Sequence, residues 1–296
     1  MEHVMRVGIH RSTRGLGDMI MMEPLFAKLC AKHDVDQIEL FLVGSVQEVH
    51  RHPPLVSLVS WCQSRDGFDR DDYPDLDHVY DLSEACFRHE LANQPNITKG
   101  RTQIWAEACG LEYDGEPAPK LWLPSEDGVS ALKAKFTGPR TIAVGYESVD
   151  SWRSYPYMDD LILELSKFAR IWVFHNEEMP SLTERLPADS RVELFDRCHL
   201  RELFWRIKGC DLVVSPDTSF VHIAGALNVP AYGIFGPTDA NVRMRDYLTQ
   251  WRAPKPYRAC RRAPCWYQAC RGQYCLTTLH PKDLAREVEE FWGELP

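Results

Sequence analysis

The length, composition and charge of the chain set the first limits on its function. The chain has 296 residues, 44% hydrophobic and 26% charged, which is typical of a globular protein and not of a disordered or fibrous one. A formal net charge of −9 argues against a protein that coats nucleic acid through bulk electrostatics. The sequence lacks both a long apolar run and the layout of a secretory signal. We therefore expect a cytoplasmic protein without a membrane span.

The first part of the chain is predicted to alternate between strands and helices. Short apolar runs predict four strands, at residues 5–10, 37–44, 55–61 and 77–83. An apolar segment of helical length follows the first strand. Because Pro24 has no amide proton, we expect that helix to begin near Met22 or to kink there. A further helix is predicted at residues 100–111, where Gly110 is a typical stop signal.

The alternation restarts after a proline-rich, polar stretch at residues 112–128. Further strands are predicted at residues 140–147, 170–176, 191–196, 211–217 and 231–236. Further helices are predicted at residues 129–136, 158–168, 199–210, 219–228 and 280–295. Strands and helices in this order are typical of βαβ units with parallel sheets. We predict an α/β protein with two Rossmann-like domains facing a central cleft, at residues 1–124 and 125–280, and a C-terminal helix at 281–296.

Two polar loops lie at the ends of predicted strands. One is "RGLGD", residues 14–18, and the other is "PDTS", residues 216–219. In open parallel sheets, ligands bind outside the carboxyl ends of the strands. We therefore expect both loops to face the cleft.

The helix after the second loop is predicted to have two faces. Spacings of three and four residues place one group toward the core: Phe220, Ile223, Ala224 and Leu227. His222 lies on the other side, stacked on Thr218, and we expect that side to face away from the core. Free amides at the helix start, with nearby hydroxyls and the imidazole, favour an anion site, most often for phosphate. The alternative is that Asp217 or Thr218 only caps the helix and that His222 is solvated.

Three segments resemble glycosyltransferase family 9, the bacterial heptosyltransferase family. Residues 215–239, "SPDTSFVHIAGALNVPAYGIFGPTD", are similar to its donor-site signature. Residues 15–26, "GLGDMIMMEPLF", resemble its Gly-Asp segment, and residues 150–156, "DSWRSYP", its basic-aromatic-proline segment. The resemblance implies the GT-B architecture, with the nucleotide sugar held mainly by the C-terminal domain. It also implies inverting transfer without a catalytic metal, by family default from ADP-heptose.

The resemblance makes Asp18 the general base that takes the proton from the acceptor hydroxyl. Gly17 precedes it in a loop of small residues that lets substrate approach the backbone. A helix-capping role for Asp18 is the alternative.

The donor residues implied by the resemblance follow the second loop. Thr218 and Ser219 would hold the diphosphate, with Ser219 standing where the family has glycine. Asp217 would orient the loop or bind a sugar hydroxyl, and His222 would add a phosphate or sugar contact. Arg153 would bind the diphosphate in a bidentate manner, with a solvated loop arginine as the alternative.

An acidic pair follows the predicted strand at 170–176. Glu177 or Glu178 would accept hydrogen bonds from the ribose hydroxyls. A plain surface glutamate is the alternative.

Four cysteines recur at every fifth residue: Cys260, Cys265, Cys270 and Cys275. In a reducing cytoplasm such a cluster favours a structural Zn or Fe site, with disulfides or free thiols as alternatives. Four thiolates would fill the coordination sphere, so a catalytic metal is not expected. Similar clusters in family 9 precede the last helix, and some self-associating members hold iron there.

Residues 252–275 contain arginines, a lysine and aromatic residues but no acidic residue. This composition suits a phosphorylated acceptor, a subunit contact in a homo-oligomer or a nucleic-acid contact, with a solvated loop as the alternative. The leading hypothesis is sugar transfer to a glycan or protein hydroxyl. Transfer to a modified DNA base and a non-catalytic binding protein on the same fold are the alternatives.

Overall fold

The computed structural model describes residues 5–11, 15–42, 62–65, 76–121, 123, 140–175, 179–196, 200–254, 260, 263–266 and 272–296. The chain divides into two compact units, Met1–Pro124 and Ser125–Pro296. Within the described ranges, every helix is too short or too polar to cross a membrane.

The first unit is built on a four-stranded parallel sheet with the order β3-β2-β1-β4. Its strands are β1 (Val7–Arg11), β2 (Ile38–Leu42), β3 (Cys62–Arg65) and β4 (His78–Asp81). Its helices are α1 (Leu16–His33), α2 (Ala85–Asn93) and α3 (Arg101–Ala108). The chain runs from β1 to β2 and β3 on one side and then to β4 on the other. The order therefore reverses between β1 and β4, which is where such sheets bind ligands.

For helix α1, the predicted start near Met22 is wrong. The helix begins at Leu16, not near Met22, and continues through Pro24 to His33. The segment from Met19 to Phe26 is buried throughout, so its packing outweighs the roughly 3 kcal/mol that an internal proline costs. The hydroxyl of Thr102 donates to the carbonyl of Met21 at 2.8 Å, which gives one carbonyl before the proline an additional donor.

The second unit has a six-stranded parallel sheet with the order β10-β9-β8-β5-β6-β7. Its strands are β5 (Thr141–Gly145), β6 (Arg170–His175), β7 (Val192–Asp196), β8 (Leu212–Pro216), β9 (Ala231–Ile234) and β10 (Trp251–Arg252). Its helices are α4 (Met158–Leu165), α5 (Pro180–Arg185), α6 (Leu200–Gly209), α7 (Ser219–Ala226), α8 (Ala240–Arg243), α9 (Tyr274–Thr277) and α10 (Pro281–Glu294). The order reverses between β5 and β8, so the carboxyl ends of these two strands form the expected ligand-binding position.

Most predicted elements are confirmed. The predicted strands become β1, β2 and β4 to β9, and the predicted helices become α3, α4, α6, α7 and α10. The predicted strand at 55–61 and the predicted helix at 129–136 lie outside the described residues. Strands β5 and β8 are buried along their whole length, as expected for central strands covered on both faces.

Candidate functional site

Asp18 lies in the first turn of α1, seven positions after Arg11, the last residue of β1. Its carboxylate accepts one hydrogen bond from Arg11 Nη2 and another from Arg101 Nη1, each at 2.5 Å. The N-cap residue of α1 is Gly15, so the capping alternative for Asp18 is wrong. Two guanidinium groups and the positive end of the helix dipole all favour the ionised carboxylate.

The two arginines that bind Asp18 are themselves held in place. Arg101 donates from Nε and Nη2 to the two carboxylate oxygens of Glu90, both at 2.8 Å, and Glu90 is 1% exposed. The guanidinium of the buried Arg11 lies 4.6 Å from the ring centroid of Trp105. Sequence reasoning did not identify Arg11, Arg101 or Glu90. Arg101 is 83 positions from Asp18, so no local pattern links the two, and Arg11, seven positions from Asp18, is an ordinary arginine at a strand end.

In the second unit, Arg153 and Asp217 form an ion pair at the point where the strand order reverses. Arg153 lies in a 3-10 turn, Ser151–Arg153, after β5. Asp217 follows β8, is 2% exposed, and accepts from Thr238 Oγ1 at 2.6 Å and from Arg153 Nη1 at 3.4 Å. Arg153 Nη2 also donates to the more exposed Asp150 at 2.6 Å. Two of the segments quoted above, residues 150–156 and 215–239, therefore meet at one place.

The charges of this pair are set by competing effects. Burial on its own raises the pKa of Asp217, but the nearby Arg153 and Arg243, with the Thr238 hydrogen bond, hold that pKa below its ordinary value. Burial lowers the pKa of Arg153, but Asp217 and Asp150 raise it above its ordinary value. Both side chains are therefore charged, and the guanidinium is fixed beside the start of α7.

The start of α7 is capped by Thr218. Thr218 Oγ1 accepts from the amide of Phe220 at 3.1 Å and lies 3.0 Å from Ser215 Oγ, so the capping alternative is confirmed for this residue. Ser219 is the first residue of the helix and is partly exposed. Gly145, at the end of β5, makes the close packing possible. A Cβ there would lie 2.6 Å from Ser215 Oγ and 2.7 Å from Phe220 Cγ.

His222 is buried, so the alternative that it is solvated is wrong. The residue is 4% exposed, and its Nδ1 lies 3.0 Å from the hydroxyl of Tyr247. The same tyrosine ring covers Gly225, where a Cβ would lie 2.4 Å from Tyr247 Cδ1. Helical spacing shows which residues share a side but not what covers it, and here a distant loop covers it.

The metal-site prediction is only partly within the described residues. Cys260, Cys265 and Cys275 lie within the described residues, whereas Cys270 lies outside them. The described part of the chain contains no cluster of three or more histidine, cysteine or acidic side chains arranged to hold a metal ion. A structural Zn or Fe site therefore stays a prediction. Glu177 and Glu178 also lie outside the described ranges.

The basic stretch at 252–275 is described only in part. Arg252 donates to Glu294 at 2.5 Å and lies over the ring of Phe291, so it is paired with α10. Trp266 is 1% exposed and Tyr274 is 60% exposed. Of these two aromatic residues, only Tyr274 offers its ring to a partner. The remaining basic residues lie outside the described residues.

The sequence profile of glycosyltransferase family 9 (heptosyltransferase) matches residues 87–268. A search of curated protein sequences finds no match. The fold is similar to the glycosyl transferase family 9 structure from Veillonella parvula, with 12% identity, a TM-score of 0.70 and coverage of 100% of this chain and 99% of that one. It is also similar to E. coli ADP-heptose lps heptosyltransferase II, with 13% identity, a TM-score of 0.60 and coverage of 98% and 99%.

A third similar structure is the bacterial iron-containing dodecameric glycosyltransferase TibC from enterotoxigenic E. coli. The identity is 15% and the TM-score is 0.70, over 100% of this chain and 78% of that one. These structures confirm the α/β fold with parallel sheets that is typical of GT-B glycosyltransferases. The family profile covers more than half of the chain, and the chain therefore belongs to glycosyltransferase family 9 and is a glycosyltransferase.

Proposed function

We propose that the protein is an inverting glycosyltransferase that moves a sugar from a nucleotide-sugar donor to a hydroxyl of a glycan or protein. By family default the donor is ADP-heptose, and catalysis needs no metal. The observation that carries the proposal is the Arg153–Asp217 ion pair, which fixes a guanidinium beside the capped start of α7. That position, outside the carboxyl ends of β5 and β8, is where an open parallel sheet binds a nucleotide.

The diphosphate of the donor would be held by Arg153 and by the start of α7. The guanidinium suits bidentate binding of phosphate oxygens, and a helix N-terminus favours anions. A bound diphosphate would replace the more exposed Asp150 as the partner of Arg153 Nη2, while the buried Asp217 keeps Nη1 in place. Negative charge grows on the diphosphate as the sugar bond breaks, so fixed cationic and amide donors stabilise the transition state.

Asp18 would act as the general base in the first unit, with Gly17 beside it. The carboxylate takes the proton of the acceptor hydroxyl while that oxygen attacks the anomeric carbon. The bond from the anomeric carbon to phosphate breaks, and its electron pair leaves with the nucleoside diphosphate. Arg11 and Arg101 orient the carboxylate and keep it ionised, so that it is ready to accept the proton.

The remaining donor residues have different roles in this proposal. Thr218 and Ser219 lie at the phosphate end of α7, and Glu177 would accept from the ribose hydroxyls. His222 supports the site from behind, because it is buried and its proximity lowers the pKa of Asp217. Residues 125–280 would form the donor domain and residues 1–124 the acceptor domain.

Nucleotide binding tests the donor site. Isothermal titration of the purified chain with ADP, UDP, GDP, CDP and CMP should show tightest binding to ADP. Arg153→Met should weaken ADP binding by about 10- to 100-fold, because a charge-assisted hydrogen bond contributes about 1.5–3 kcal/mol. The matched control is Arg185→Met, since Arg185 pairs with Asp160 on the surface. Equal ADP affinity in the two variants would contradict the assigned donor site.

Turnover tests the base. Asp18→Asn should keep ADP affinity but lower sugar transfer by about 10²- to 10⁴-fold, the usual contribution of a general base. Sugar transfer can be measured before the natural acceptor is identified. The assay follows release of ADP from ADP-heptose, with water as the acceptor. Asp34→Asn is the control, because Asp34 is exposed at the other end of α1 in a left-handed conformation that asparagine tolerates. Full activity in Asp18→Asn would remove Asp18 as the base.

A further inference from the structure

The Cys-rich segment, residues 260–275, contacts the loop that follows β9. The amide of Trp266 donates to the carbonyl of Pro237 at 2.8 Å, and Pro237 directly precedes Thr238, the hydrogen-bond partner of Asp217. Trp266 adopts a left-handed backbone conformation with φ 52°. That conformation costs a bulky residue roughly 1–3 kcal/mol and persists only where its surroundings over-determine it. The buried ring and the bonded amide of Trp266 supply those constraints.

The ring of Trp266 also holds a buried arginine. The guanidinium of Arg243 lies 4.8 Å from the ring centroid of Trp266, and Arg243 is buried at the end of α8. The charge of Arg243 lowers the pKa of Asp217 against the opposing effect of burial. The electrostatic influence of this arginine therefore reaches the carboxylate that binds Arg153. A ring that fixes the guanidinium of Arg243 also fixes its distance from Asp217.

A second contact reaches the turn that carries Arg153. Gln273 Nε2, near the end of the Cys-rich segment, donates to the carbonyl of Ser151 at 3.3 Å. Ser151 begins the 3-10 turn that ends at Arg153. Leu276, in α9, packs so closely on the loop after β9 that a Cβ on Gly236 would lie 2.7 Å from Leu276 Cγ. These contacts therefore reach the turn that supplies Arg153 and the loop that supplies Thr238, the hydrogen-bond partner of Asp217.

We propose that Trp266 and Gln273 are positioning residues of the donor site, which hold the Pro237–Thr238 loop and the Arg153 turn in the arrangement that binds a diphosphate. The affinity for a nucleoside diphosphate then depends on the positions of Trp266 and Gln273, although neither residue touches the ligand. The ligand in this inference is taken from the proposed function. The contacts of Trp266 and Gln273 do not depend on that function.

Binding of ADP to paired tryptophan variants tests the inference. Trp266→Leu should weaken ADP binding by about tenfold, because the variant loses the cation–π contact that fixes the guanidinium of Arg243. Trp266→Phe keeps an aromatic face for Arg243 and should restore most of that affinity. The control is Trp292→Leu, which removes another buried tryptophan of the same unit and its contact with Arg140. Equal ADP affinity in the two leucine variants would overturn the inference.

Gln273→Asn is a milder second variant. Asparagine tolerates the left-handed conformation of residue 273, with φ 42°, but its side chain is too short to reach Ser151. ADP affinity should fall by about two- to threefold, the effect of one neutral hydrogen bond. Unchanged affinity here would overturn the role of Gln273. If Trp266→Leu does not fold, the ADP affinity of Gln273→Asn still tests whether these contacts position the donor site.

Hydrogen exchange without ligand separates this inference from the proposed function. Amides in residues 215–222 and 236–247 should exchange faster in Trp266→Leu than in the wild type, and not in Trp292→Leu. Equal exchange in the two variants would overturn the positioning role. If the wild-type chain binds no nucleoside diphosphate but the exchange difference appears, the positioning role stands and the proposed donor fails.

Discussion

The buried pair of Glu90 and Arg101 makes a quantitative prediction about stability. Glu90→Gln keeps the shape of the side chain but removes its charge. Breaking a buried ion pair usually costs about 3–5 kcal/mol. Arg101 keeps its bond to Asp18 at 2.5 Å, and glutamine keeps one oxygen acceptor. We therefore expect a loss of about 2–3 kcal/mol in the free energy of unfolding, below the full penalty of an unpaired buried charge.

Urea unfolding followed by circular dichroism measures this loss. With a slope of about 2 kcal/mol per molar, the midpoint of the first unit should fall by about 1–1.5 M urea. Glu84→Gln is the matched control, because Glu84 lies in the turn before the same helix and pairs with Arg88 while both are exposed. Exposed pairs contribute at most about 1 kcal/mol. If both variants shift the midpoint equally, the buried network does not stabilise the unit as argued.

Two further predictions concern the second unit. Gly225→Ala should lower stability by about 1–3 kcal/mol, because its Cβ would overlap the ring of Tyr247. Gly293→Ala is the control and should stabilise α10 by about 0.5 kcal/mol, because a Cβ there would have no atom within 4 Å. Thermal unfolding compares the two variants, and equal effects would contradict the packing argument. Because the folded-state pKa of Asp217 is lowered, its contribution is full above about pH 4 and is lost as pH falls further. The stability difference between wild type and Asp217→Asn should shrink over that range, and a constant difference in urea titrations from pH 5 to pH 2.5 would refute the assignment.

Local pattern was enough to predict most of the fold. The buried strands β5 and β8 appear in the sequence as apolar runs, and α10 appears as an amphipathic helix. These elements depend on residues close together in the chain. Helix α1 is the exception, because its local signal, Pro24, is outweighed by tertiary packing that the pattern does not contain.

The site shows the same division between local and distant information. Its motif residues were identified because they lie together in short segments. Their partners were not: Arg11 and Arg101 on Asp18, Arg243 near Asp217, and Tyr247 on His222. Arg101 reaches Asp18 across 83 positions, and Tyr247 reaches His222 across 25. One sequence on its own does not specify such pairs, because each partner is an ordinary arginine or tyrosine in its own segment.

The burial of His222 separates two parts of the segment at residues 215–239, which differ in their exposure. Its first part, Asp217 to Ser219, lies at the start of α7, where Thr218 and Ser219 are partly exposed and amides favour an anion. In its second part, His222 and Gly225 are covered by Tyr247, and the charge of His222 lowers the pKa of Asp217. Changes in the second part should therefore alter ligand affinity through the position and ionisation of Asp217, together with stability. A change at the partly exposed Ser219 should alter affinity while leaving stability almost unchanged. A change at Thr218 should also lower stability, because its side chain caps α7.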